Sequence, residues 1–484
     1  MNQRQLCSAA IAAALFLPAT AFATNGYFLI GYGAKSRSMG GVGVAYAQDA
    51  LAGAANPAGM ADVESNVMRF DMGGEFFLPK RAASHDSVAL ESNFPGSDSA
   101  VSHRSGSNVF LIPSMGFTFK FNRDLTVGMA VIGNGANTRY DQTVPGKPNC
   151  MDSNFSDGSA STLFNFNCIG SQTAGVSLMQ MQMLPGLAYK LTENHTLGAS
   201  LIIAVQQFRA YGLQAFGQVP DPRNPGAVIG LGFGAGSGKL TNEGNDWSYG
   251  AGFRLGWLGK FIDGKLSLGA NYASKTHMSK FDKYKNLFAG QGGFDIPEHW
   301  ALGLAYELTD KLTVAADYQK INYNDIPSVG NPGPDPSNPS SFFPSSNDCP
   351  AGVALEDQPC ALGRDKGLGF GWNDAEVYKI GINYDYNSQW SFRAGYNYAE
   401  TPIQKDQILF NFLAPAVNEH HITLGLSYRP SPNIEWSANY MHAFSNTIKG
   451  PTPFGPQSGL TEVGENAAID MRINSIGISF GYRL

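Results

Sequence analysis

Few side chains in this sequence are spaced for chemistry. The chain has five cysteines, and beyond Cys7 they stand as two close pairs, Cys150 with Cys168 and Cys349 with Cys360, each in a polar segment rich in Pro, Asn and Ser. Paired thiolates hold a metal or close into a disulfide. No histidine accompanies either pair, so the usual nitrogen ligands of a mixed zinc site are missing. In an oxidising compartment local disulfides are expected instead, although four cysteines allow three connectivities. Loops this short would be stabilised by about 3 kcal/mol in the chain-entropy account. His420 and His421 are adjacent, and on a strand such neighbours face opposite sides, which makes them poor co-ligands. The run from Gly232 to Lys239 imitates a phosphate loop, but Phe233 stands where the first glycine belongs and Leu240 where Ser or Thr is needed. There is no evident Gly-x-Ser-x-Gly elbow. We therefore expect no catalytic residue, no metal and no cofactor.

The elements that carry these residues are legible from composition. Arg4, the apolar stretch from Ala9 to Leu17 and the small-x-small site Ala21-Phe22-Ala23 form an export signal over residues 1–23. Cys7 precedes the apolar stretch, which argues against a lipoprotein. Charged residues make up 15% of the chain, against about 25% in soluble proteins. Gly reaches 57 residues and aromatics 12%, yet no later apolar run approaches the roughly 20 residues of a spanning helix. That combination suits an outer-membrane barrel, in which only alternate residues face lipid. The net charge of −6 gives no reason to expect nucleic acid.

Period-two patterning supports this from about residue 66 onward. Ile476, Ile478, Phe480, Tyr482 and Leu484 alternate with Ser475, Gly477, Ser479, Gly481 and Arg483. Trp300, Leu302, Leu304 and Tyr306, and again Ile422, Leu424, Leu426 and Tyr428, repeat the pattern, where a helix would need apolar residues three and four apart. Tight turns fall at 122–124, 193–195, 262–264, 309–311, 387–388 and 431–433. Long connections lie near 81–107, 141–175, 213–245, 281–293, 326–372, 403–417 and 446–468. Six short turns and seven long loops imply about fourteen strands, with turns on one side of the membrane and loops on the other. The predicted fold is an all-β transmembrane antiparallel barrel over residues 63–484.

Residues 24–62 read differently. The segment opens Asn25-Gly26-Tyr27-Phe28, continues through a Gly/Ala-rich run to Asp49, and closes on Asn56-Pro57-Ala58. Such small residues pack closely against walls, and Asn-Pro stops a strand or helix. The segment would form either a plug inside the barrel or a loose periplasmic leader. In its glycine and alanine run, in Asp49 and in Asn56-Pro57-Ala58 it resembles the hatch of the FadL/TodX family, transporters of long-chain fatty acids and aromatic hydrocarbons. The resemblance implies a monomeric barrel of fourteen strands with an N-terminal hatch in the cell outer membrane. It also implies passive uptake of a hydrophobic ligand, long-chain fatty acids being the expected cargo, through an internal apolar site and a lateral opening.

Three further features bear on such a path. Gly133-Asn134-Gly135, in the expected third strand, marks either a kink of the kind that opens the wall in that family or an ordinary bulge. The segment containing Ile229, Leu231 and Phe233, and the set Phe281, Tyr284, Leu287 and Phe288, are apolar for loops, and would form exposed docking patches or pack loop on loop. Arg139 and Arg209 could pair with a buried carboxylate or line a polar lumen. A general diffusion porin and an outer-membrane lipid hydrolase are the competing functional classes.

Overall fold

The computed structural model describes residues 25–86, 100–141, 173–217, 219–220, 228–229, 233–234, 238–336, 349–350, 353, 357–452 and 465–484. Alternation builds the wall. Fourteen long strands form one antiparallel sheet: β1 (Met68–Asp86), β2 (Phe110–Lys120), β3 (Leu125–Asn137), β4 (Thr173–Lys190), β5 (His195–Tyr211), β6 (Asp246–Phe261), β7 (Leu266–Ala273), β8 (His299–Thr309), β9 (Leu312–Ile321), β10 (Ala375–Asp385), β11 (Trp390–Ala399), β12 (His420–Ser431), β13 (Ile434–Gly450) and β14 (Ala467–Arg483). Each pairs with its sequence neighbour, and β14 returns to β1 from Arg69↔Arg483 to His85↔Ala467, so no long edge is left open. The carboxy-terminal residue helps seal the seam, since the Leu484 carbonyl oxygen accepts from the amides of Asn66, Val67 and Met68.

The outer face carries the exposed apolar side chains, among them Leu302, Leu304, Ile380, Leu424, Ile476 and Ile478. Rings gather near strand ends: Trp390 lies 4.6 Å from Tyr428 and Trp436 lies 5.0 Å from Phe480. Such rings sit where lipid meets water. Inward-facing positions change along the axis. Toward the short turns they are polar or small, as with Ser475, Gly477 and Ser479. Toward the long loops they become apolar, as with Ile469, Met471 and Ile473. The barrel thus has a polar lower interior and an apolar upper one. Among the described residues no helix is long and apolar enough to cross a membrane.

The ladder between β2 and β3 is incomplete. It runs from Lys120↔Thr126 to Met115↔Val131 and stops, although β3 continues against β4 as far as Asn137↔Ser177. Above this point Ser105 bridges Tyr140, and the Gly106 amide donates to the Arg139 carbonyl at 2.6 Å. Residues 110–114 of β2 and 132–137 of β3 therefore frame a window in the hydrogen-bond ladder, closed at both ends and about 17 Å long at strand rise. Pro113, which has no amide hydrogen to give a ladder, lies on its β2 side.

Candidate ligand path through the barrel

Residues 25–63 fold into short pieces inside this wall: α1 (Gly33–Ser38), α2 (Ala52–Ala55) and a 3-10 turn over Pro57–Asp62. The wall makes room by omitting side chains. Gly116, Gly128, Gly198, Gly256, Gly269, Gly303, Gly381, Gly395 and Gly425 stand on nine different strands. A Cβ at any of them would collide with Ser38, Met39, Val44, Ala50, Asn56, Ala58 or Met60. Several are cross-strand partners, as are Gly198 and Gly256, Gly269 and Gly303, and Gly381 and Gly395. The high glycine content is in part this belt.

Asn56 fastens the segment. It is wholly buried and starts the 3-10 turn, its Oδ1 accepting from the Ala58 amide at 3.0 Å while Pro57 presets the first turn. Its Nδ2 donates to the Val44 carbonyl at 2.8 Å and to the Trp257 carbonyl of β6 at 2.9 Å, tying the segment to itself and to the wall. Asp317 of β9 accepts from the Gly43 and Val44 amides at 2.7 and 3.1 Å, and Asp71 of β1 accepts from the Ala50 amide at 2.8 Å. Charges complete the clasp. Lys35 pairs with Glu435 of β13, which also meets Arg69 at 3.1 Å and Arg429 at 2.6 Å, and Arg37 reaches Glu75 at 2.6 Å. Burial pushes the Lys35 ammonium down to about 8, with Arg69 adding to the effect against Glu435. Asp49 is buried as well, accepting from the Leu51 amide at 3.0 Å. Burial, reinforced by Asp71, pushes its carboxyl up to about 6. Buried pairs of this kind fix geometry more than they add stability.

Above the segment lies an apolar cavity. Tyr27 forms part of its lower surface, Ala136 of β3 and Val176 and Leu178 of β4 one wall, and Phe208, Phe216, Phe288, Phe294, Phe370, Trp372 and Phe410 much of the rest. No charged side chain lines it among the described residues. Tyr27 is held by Tyr323, whose hydroxyl donates to the Asn25 carbonyl at 2.6 Å and accepts from the Tyr27 amide at 3.2 Å. The aromatic rings come from long loops and from the upper ends of strands, and lie in contact, Phe208 with Phe288 at 4.6 Å and Phe216 with Phe410 at 5.1 Å. A smaller cavity adjoins it, sharing Tyr27, Ala136, Trp372, Leu413 and Ala414 and adding Gly135 and Arg81. Arg81 of β1 donates to the carbonyls of Asn137 and Ser107, so it spans the upper end of the window, and stacks 5.8 Å over Phe110.

An apolar chamber in a barrel that holds a fastened inner segment narrows the comparison with known proteins. The profile of the outer membrane protein transport protein family (OMPP1/FadL/TodX) matches residues 153–474. The chain belongs to this family. Solved structures agree in fold. The Pseudomonas putida toluene transporter TodX matches with a TM-score of 0.59 at 18% identity over 94% of this chain and 99% of that one. The Ralstonia pickettii toluene transporter TbuX matches at 0.55 and 19% over the same shares, and a Pseudomonas aeruginosa FadL homologue at 0.58 and 14%. No curated protein sequence matches the chain.

Within this FadL/TodX-family barrel the residues singled out from sequence fall in distinct places. Asn56, Pro57, Ala58 and Asp49 lie in the seat of the inner segment, Tyr27 at the cavity, and Phe28 beside Tyr323 and His299. Gly133, Asn134 and Gly135 lie on the β3 side of the window, and Asn134 Oδ1 accepts from the Leu29 amide at 3.4 Å. Phe233, Phe281, Tyr284 and Phe288 are buried rather than exposed, and Leu287 is half-buried and lines the cavity with Phe288. Burying these rings removes more apolar area from water than an external patch could. The side chain of Ile229 and all of Leu231 lie outside the described residues, as do Cys150 and Cys168. Cys349 and Cys360 are joined as a disulfide, with 5.4 Å between their Cα atoms. Arg139 and Arg209 are exposed, and Arg209 stacks on Tyr211, so neither lines the lumen. Among the described residues the interior cations are Lys35, Arg37, Arg69, Arg81, Arg254, Lys379 and Arg393. Sequence alone marked none of them, though for Arg69, Arg81, Arg254, Lys379 and Arg393 an inward strand position was the available signal.

Proposed function

We propose that the barrel carries neutral hydrophobic molecules passively across the outer membrane, from the loop-enclosed cavity, along β3 and out sideways through the window between β2 and β3. The absence of charge around the cavity among the described residues carries this reading, because a carboxylate there would be desolvated without a partner. The clasp on residues 25–63 favours release through the wall over displacement of the hatch. A hatch held at many strands would have to give up all of those contacts at once.

Long-chain fatty acids form the second reading. Arg81 favours it, since a carboxylate in the small side cavity would approach its guanidinium while the tail filled the large one. That binding would compete with the Asn137 and Ser107 carbonyls. Labelled toluene and labelled palmitate, each supplied to cells lacking other hydrophobic channels, separate the two readings. Toluene uptake by the wild type, blocked in the double variant Ser114→Cys/Ile132→Cys under oxidising conditions and restored by reductant, is the expected result. These two positions are the first past the end of the β2–β3 ladder. Toluene uptake that persists through the cross-linked wall would refute lateral release.

A further inference from the structure

A third cavity, behind the window, differs in chemistry from the large one. The inner segment borders it at Tyr32 and Arg37, β1 at Glu75, β2 at Ser114, β3 at Gly133 and β13 at Asn439. Arg37, Glu75 and Asn439 are 3%, 5% and 4% exposed. Although Arg37 Nε meets Glu75 Oε2 at 2.6 Å, Arg37 Nη2 and both amide atoms of Asn439 have no hydrogen-bond partner. Buried groups of this kind are rarely left unsatisfied, and each costs free energy until something fills the place.

The three cavities follow one strand in order. Ala136 borders the large apolar one, Gly135 and Ala136 the one beside Arg81, and Gly133 and Ile132 the polar one. A molecule moving along β3 behind the window, from Ala136 to Ile132, therefore passes from apolar rings to a guanidinium and an amide. Glu75 already balances the charge of Arg37, so an incoming carboxylate would bring an uncompensated negative charge into a buried place. A hydroxyl group would bring no charge, donating to Asn439 Oδ1 and accepting from Arg37 Nη2.

We propose that this cavity is a binding site for neutral hydroxyl-bearing hydrophobes, phenols and alcohols, directly behind the window. The proposal rests on the reading of the window as the exit. Binding of 1-naphthol and of naphthalene to the purified full-length barrel in detergent tests it, since the two differ by one hydroxyl. The wild type should bind 1-naphthol at one more site than naphthalene. Asn439→Leu, close in volume, should weaken that extra site about tenfold, the scale of one lost buried hydrogen bond, and leave naphthalene unchanged. Equal stoichiometry in the wild type, or an equal effect of Asn439→Leu on both compounds, would overturn the polar site alone. Failure of the wild type to bind either compound would overturn the apolar path and this site with it.

Discussion

At the scale of single residues, Asn56 and Asp49 give the sharpest expectations. Asn56→Ala would remove the bonds to the Val44 and Trp257 carbonyls and leave the Ala58 amide without its cap. At about 1–3 kcal/mol for each buried group left unsatisfied, the temperature at which the barrel loses its compact gel mobility should fall clearly below that of the wild type. Asp49 bears on pH. Its folded carboxyl is pushed up to about 6, above the ordinary carboxylate value of 3.8, so the folded state holds a proton that the unfolded chain has released. Its contribution is present below pH 4 and is lost as pH rises toward 6. Asp49→Asn should therefore flatten the fall in stability between pH 4 and 7, as measured by urea unfolding at a series of pH values. Little at this scale was legible in the sequence. Asn56-Pro57-Ala58 stood out because Asn-Pro is rare punctuation. The pairing of Lys35 with Glu435 left no local trace, because no periodicity links two positions so far apart in the chain.

At the scale of elements the sequence was far more informative. Each strand announces itself by period two, and turns such as Asn122-Arg123-Asp124 and Ser431-Pro432-Asn433 fall between strands as expected. The glycine belt did not announce itself. A glycine in an alternating run reads as a small inward residue, and only the folded barrel aligns nine of them against one segment. Gly395→Val tests the belt, because its side chain would enter the backbone of Met39 and Gly40, and no rotamer change relieves a backbone clash. The expected outcome is an unseated segment, cleaved within residues 25–62 by added protease under conditions in which the wild type is resistant. The burial of Phe281, Tyr284 and Phe288 was illegible for a related reason. Whether an apolar loop faces water or the lumen depends on a chamber assembled from several distant loops.

At the scale of the whole molecule, the inner segment separates this barrel from an open pore. In planar bilayers the wild type should conduct ions weakly, and deletion of residues 25–62 should raise conductance to that of an unobstructed barrel. High conductance in the wild type would instead favour a diffusion porin. The clasp also bears on biogenesis. The Gly40 amide bonds Thr423, 383 residues later, and the segment joins β1 through a tether of only four residues, 64–67. Seating it joins residues hundreds of positions apart, a closure of high contact order and correspondingly slow. Because glycines on nine strands must all meet it, a wall with too few or too many staves would leave it loose or pinched. The segment has the fit of a mandrel to the barrel that surrounds it.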